Sequence, residues 1–198
     1  MLSSVLFKAS MYVENPEGLG YKNVGKTQNN KKDAAVFVGL LLVMEGGGTL
    51  IDIMTTPGGA LRPDDWYEKL KKPLCHPPDW VFGPVWSILY FMIALSAFKV
   101  YRKIGFSLTL PWMVFLVQIT LNFTWPLIFF IGRQLGGFID ILIMLVFIIL
   151  NISVFLPIEY SAGLLLLPYL VWITFTSYLN YALWTLNPET SSLPSIEA

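Results

Sequence analysis

The sequence predicts an all-α membrane protein, a bundle of five transmembrane helices. Three observations carry that reading. Hydrophobic residues make up 55% of the chain, and the mean hydropathy of +0.62 exceeds what a soluble domain with a polar surface needs. Apolar runs of about 20 residues, the length that crosses hydrocarbon, alternate with short clusters of Pro, Gly and charge. From Trp80 to Asn187 these runs carry Trp, Asn, Gln and Pro as well as Leu, Ile, Val and Phe. Indole N–H groups and amides at membrane depth cost free energy unless partnered, so they point to a bundle interior rather than to lipid.

Residues 1–32 read as a flexible polar N-terminal tail, rich in Gly, Asn and Lys and without a hydrophobic period. A five-helix domain then occupies residues 33–187. The first span is expected over Ala34 to Met54, interrupted by Glu45, Gly46, Gly47, Gly48 and Asp52. One reading breaks the helix at the glycines and leaves Glu45 near an interface or cavity; the other places a carboxylate deliberately in the bundle. Residues 55–79 are too rich in Pro and charge to span, and Trp66 and Tyr67 suit a membrane surface, so this stretch reads as a lid loop. The second span, Trp80 to Val100, opens after Pro77 and Pro78 and closes on Lys99, Arg102 and Lys103, which snorkel to headgroups. The third runs from Leu108 to Phe130 and turns at Gly132 and Arg133. The fourth, Gly137 to Leu156, is the most purely apolar. A tight turn through Pro157, Glu159 and Ser161 leads into the fifth, Ala162 to Leu186, and residues 188–198 form a short polar tail.

Charge narrows the function classes. The chain has 13 basic and 13 acidic residues, with no Lys or Arg after Arg133, so no nucleic-acid partner is expected. Alternating the connections puts eight basic residues on the N-terminal side and five on the other, which favours a cytoplasmic N-terminus. Residues 1–9 lack the features of a signal or transit peptide. A multi-pass location follows, in a bacterial cell membrane or a mitochondrial outer membrane alike.

Helical spacing sorts the unusual residues into three stripes. Trp86 and Tyr90 share a face of the second span; Gln118, Asn122, Trp125 and Phe129 recur on the third; Tyr169, Trp172, Thr176 and Asn180 recur on the fifth. If these helices neighbour one another, the stripes converge on a cavity for a flat or rigid apolar ligand with a few polar edges. Taken singly, Gln118, Asn122 and Asn180 read as interhelical ties worth about 0.6 kcal/mol each rather than as ligand contacts; taken together with the aromatics on the same stripes they read as a pocket. Cys75 is the only cysteine and His76 the only histidine. Neither a disulfide nor a catalytic zinc site is expected from them, and His76 reads as a loop hydrogen-bonder or ligand-edge contact. No catalytic residue and no cofactor is expected.

The blocks RPDDWYEKLKKP, HPPDWVFGPVWSILY, QITLNFTWPLIFFIGRQLGGFID and LLLLPYLVWITFTSYLNYALWTLN resemble the translocator protein family (TspO/MBR, the tryptophan-rich sensory proteins). The likeness covers Leu61 to Asn187. It implies five transmembrane helices, a homodimer, and a pocket closed by the loop between the first two helices. It implies porphyrins such as protoporphyrin IX as ligands, sterols in animal members, and lipid as the surrounding partner. Ligand-binding residues carried over by motif are Trp86, Tyr90, Asn122, Trp125, Trp172 and Thr176; lid residues are Asp64, Trp66, His76 and Pro77. The resemblance makes the chain a receptor or transporter for haem precursors, linked to tetrapyrrole handling or stress, with a sterol carrier as one alternative. The other is light-dependent porphyrin degradation tied to the tryptophans matching Trp86 and Trp172.

Three departures qualify that likeness. Cys75 stands where the family carries Trp, which removes an aromatic wall from the lid. No Lys or Arg follows Tyr181 as the sterol-recognition stretch requires. The N-terminal tail and the Glu45–Gly48 interruption exceed the compact family form.

Overall fold

A computed structural model describes residues 30–62 and 66–188, with residues 131–133 described by their backbone alone. The polar tails at 1–29 and 189–198, and Asp64 of the lid, lie outside the described residues. Among the described residues six α-helices follow in order: α1 (Asn30–Thr55), α2 (Trp66–Lys69), α3 (Phe82–Ile104), α4 (Leu110–Phe155), α5 (Tyr160–Leu165) and α6 (Leu167–Leu186). Five stretches among the described residues are long and apolar enough to cross a membrane: Asn30–Thr55, Asp79–Ile104, Leu110–Phe130, Gln134–Phe155 and Tyr160–Leu186.

Two boundaries differ from the sequence expectation. Helical geometry continues through the connection between the third and fourth spans, so α4 is a doubled-back hairpin. Its arms are tied by Trp125 Nε1 donating to the Gly137 carbonyl at 3.1 Å and Asn151 Nδ2 donating to Gln118 Oε1 at 3.2 Å. The fifth span is interrupted at Leu166, because Pro168 has no N–H to continue the ladder.

The larger correction concerns α1, which does not break at its glycines. These residues serve as seats for aromatic rings. A Cβ at Gly47 would lie 2.7 Å from Phe123 Cζ, and one at Gly48 would collide with the Tyr90 ring, whereas Gly46 faces open space. In lipid, where water no longer drives helices together, such close approach supplies van der Waals contact. Gly48→Ala is therefore expected to lower stability in detergent by about 1–3 kcal/mol. Gly46→Ala is expected to leave it unchanged or raise it by less than about 1 kcal/mol. Thermal denaturation of the two variants checks the contrast.

Helix α1 packs chiefly on α3, the α4 hairpin on α6, and α5 bridges α3 and α4. Small residues let these elements approach: Ala94, Ala97 and Ala162 are fully buried, and Ser96 donates to the Ala162 carbonyl at 2.7 Å. Outward residues such as Leu42, Ile88, Leu116, Ile149 and Val171 form an exposed apolar belt, as a lipid-facing surface requires.

Candidate functional site

Between α1, α3, the first arm of α4 and α6 lies a cavity of about 420 Å³. Trp86, Tyr90, Asn122, Trp125 and Thr176 all line it, so the three stripes converge. Trp86 stacks on Tyr90 with centroids 5.3 Å apart, and Trp125 stacks on Phe129 at 5.3 Å. Gly137 makes the latter possible, since a Cβ there would lie 2.7 Å from Phe129 Cδ2.

The cavity floor is a hydrogen-bond network centred on Asn122. Its Oδ1 accepts from the Tyr90 hydroxyl at 3.0 Å, and its Nδ2 donates to the Tyr169 hydroxyl at 2.8 Å. Gln118 Nε2 also donates to Tyr169, at 3.0 Å, and the Tyr169 hydroxyl donates to Met144 Sδ at 3.2 Å. Gln118, Asn122 and Tyr169 are buried, so each polar group needs such a partner. The amide ties and the pocket are thus one construction: the network that joins the helices also fixes the wall.

Trp172 departs from the stripe it was assigned to. Its ring packs on Phe82 and Phe175, both at 5.7 Å, and it does not line the cavity. An apolar stripe is over 100° wide, so a residue at its margin faces the neighbouring helix. The indole N–H is buried without a hydrogen-bond partner.

The lid covers the mouth through α2 and the segment after it. Trp66 and Tyr67 lie against Phe129 at 5.9 and 6.1 Å and against Phe130 at 6.4 and 5.8 Å. His76 lies against Phe82 at 5.9 Å and lines the cavity with Tyr67 and Arg62, while Pro77 is half-buried beside it. Arg62 pairs with Glu68 and, like Lys72, sits 4.6 Å from the Tyr67 ring centroid, a cation–π contact. Sequence reasoning missed the fastening. Asn187 accepts from the Lys71 N–H at 2.8 Å and donates to the Lys71 carbonyl at 3.1 Å, clamping the lid to the end of α6 across 116 residues of sequence. An Asn beyond a helix end gives no sign of such a distant partner.

Burial, with Asp79 nearby, pushes the Tyr67 phenol up to about 12. Burial and the Lys72 charge hold His76 below its ordinary value. A neutral His76 Nε2 therefore accepts from the Tyr67 hydroxyl across 3.1 Å. Because the closed-lid value lies below the ordinary histidine value of 6.5, this contribution to closure is present above that pH. It is lost as pH falls through the lowered value, when the open form binds the extra proton. Amide exchange across 66–79, corrected for intrinsic rate, is expected to accelerate between about pH 7.5 and about pH 5. The His76→Gln variant is expected to show no such acceleration.

Sequence reasoning placed Glu45 near an interface or cavity, or in the bundle, but did not find that Thr49 and Asp52 share its face. Glu45, Thr49 and Asp52 line the cavity at spacings of four and three, one face of the helix. A second groove, about 720 Å³, lies between α1 and α4, lined by apolar residues including Val43, Trp112 and Leu116. Among the described residues no group of three or more His, Cys, Asp or Glu is placed to hold a metal.

A cavity bounded by four separate spans and roofed by the first connecting loop is a feature that relatives can be asked to share. A family model described as the TspO/MBR family matches residues 37–185, which takes in every element of the cavity wall and lid. The chain is 37% identical over 161 residues to the tryptophan-rich protein TspO of Chlorobaculum tepidum, covering 78% of this chain and 95% of that one. It is 37% identical over 123 residues to the translocator protein of Homo sapiens, covering 60% and 73%. To the tryptophan-rich sensory protein of Cereibacter sphaeroides it is 34% identical over 133 residues, covering 67% and 83%. With five membrane-crossing helices and a family match over most of its length, this chain is a multi-pass membrane protein belonging to the TspO/MBR family.

Proposed function

We propose that this protein is a membrane receptor or carrier that takes a flat, hydrophobic ligand of the porphyrin class into the cavity beneath its lid. The observation that carries the reading is the meeting of Trp86, Tyr90 and Trp125 with Asn122 and Thr176 around one hollow. Its volume falls within the roughly 300–1,000 Å³ of small-molecule sites. Stacked rings offer area to a planar ligand, and the fixed network keeps them in place before it arrives, which lowers the ordering cost of binding. The relatives' names, translocator and sensory protein, accord with binding rather than turnover. Surrounding lipid and a second copy of this chain complete the proposed partners. The light-dependent alternative loses support, because only Trp86 of its two tryptophans borders the cavity.

The test is a titration of the detergent-solubilised protein with protoporphyrin IX dimethyl ester, which carries the ring without its charges. Saturable quenching of tryptophan emission, competed by unlabelled planar ligand but not by a sterol, is the expected result. Linear, non-saturating quenching, or equal competition by a sterol, overturns the reading.

A further inference from the structure

Among the described residues that line the cavity, Arg62 is the one Lys or Arg. Its side chain is 8% exposed, and it stands on the lid just beyond the end of α1, where its carbonyl accepts from the Gly58 N–H at 2.9 Å. The guanidinium sits over the Tyr67 ring, Tyr67 packs edge-on against Phe129, and Phe129 stacks on Trp125. Four side chains thus connect the lid to the aromatic wall. A charge so buried needs its donors engaged, yet only part of the fork is. Nη2 donates to Glu68 Oε1, while Nε is buried without a hydrogen-bond partner.

Stereochemistry makes that pattern informative. Nε–H and the adjacent N–H of Nη2 point the same way, and together they form an edge on which a carboxylate docks with both oxygens. Glu68 takes half of that edge with one oxygen and leaves the other half open. The Glu68 side chain is 42% exposed, so water receives its carboxylate at little cost when it lets go. The acids on the wall are engaged or wet: Ser87 gives Glu45 a hydrogen bond, Asp79 lies 3.7 Å from Lys72, and Asp52 is exposed. An anionic ligand edge therefore has one favourable place to go.

We infer that the Arg62 guanidinium is the recognition point for a carboxylate on the ligand's edge, and that Glu68 is an exchangeable stand-in for that carboxylate. The ligand's carboxylate would bridge Nε and Nη2, releasing Glu68 to water and engaging the donor that Glu68 leaves bare. One carboxylate replaces another, so the charge at the site is conserved and the gain comes from the second hydrogen bond. The ring would lie below, against Trp125 and Trp86, with its charged edge under the lid. This inference rests on the planar-ligand reading above and assigns the residue that reads the polar edge.

Two probes sharing one ring separate the claims: protoporphyrin IX as the free diacid and as its dimethyl ester, each titrated into the full chain in uncharged detergent. The diacid is expected to bind about threefold more tightly than the ester, the modest margin left after Glu68 is displaced. Glu68→Gln removes the competing charge and is expected to widen that margin to about tenfold or more. Arg62→Gln is expected to abolish the margin while leaving the ester's affinity within about twofold of its original value. Arg62→Lys, which keeps the charge but not the fork, is expected to restore only part of it. Should the Arg62 variants fail to fold, Glu68→Gln, a change at a half-exposed position, carries the test alone. A margin that Glu68→Gln leaves unchanged or narrows, or that survives Arg62→Gln, overturns the inference while leaving the planar-ligand reading intact. Failure of both probes to bind overturns both.

Discussion

Replacing Asn122 with Leu is expected to lower stability by about 2 kcal/mol, well beyond the roughly 0.6 kcal/mol of one average interhelical hydrogen bond in a membrane. The reason is position. Asn122 accepts from Tyr90 and donates to Tyr169, so Leu leaves the Tyr90 hydroxyl buried without an acceptor and removes one of the donors to Tyr169. An orphaned buried polar group costs about 1–3 kcal/mol. Tyr169 retains Gln118 and Met144, which keeps the total near the middle of that range. Tyr90→Phe in the Asn122→Leu background removes the orphan and is expected to recover about 1 kcal/mol, a coupling that a double-mutant cycle reads directly. Additive losses would show that the network is a set of independent ties.

The second large effect is on affinity. Trp86→Ala removes a ring that borders the cavity and stacks on Tyr90. It is expected to weaken binding of the porphyrin ester by about 10- to 100-fold, corresponding to roughly 1.4–2.8 kcal/mol of stacking and burial. Trp172→Phe is expected to change it by less than about threefold, since that indole packs on Phe82 outside the wall. Equal losses from the two substitutions would mean that Trp172 reaches the ligand after all.

The five spans were legible because hydrocarbon imposes a length and an apolar composition on any crossing helix, whatever its neighbours. The convergence of Trp86, Tyr90, Asn122, Trp125 and Thr176 was legible because helical spacing puts each set on one face. What was hidden depended on distances that no spacing encodes. Glycines at 46–48 look like a break in sequence; the rings of Phe123 and Tyr90, brought from α4 and α3, turn Gly47 and Gly48 into contacts. Asn187 finds Lys71 only once the lid is folded. Trp172 shares a stripe with Thr176, but Phe82 lies beside its edge of that stripe. Glu45 and Asp52 were visible as interruptions of an apolar run, and their joint place on the cavity wall required an unbroken α1.

The most direct test of the central claim uses the seven tryptophans as position-specific reporters. Protein labelled with 5-fluorotryptophan, its resonances assigned by single Trp→Phe variants, is titrated with the porphyrin ester and followed by fluorine NMR. Trp86 and Trp125 are expected to shift together and saturate, while Trp112, in the groove between α1 and α4, stays in place. A saturable shift of Trp112 with Trp86 and Trp125 unmoved would contradict the assignment of the cavity as the binding site.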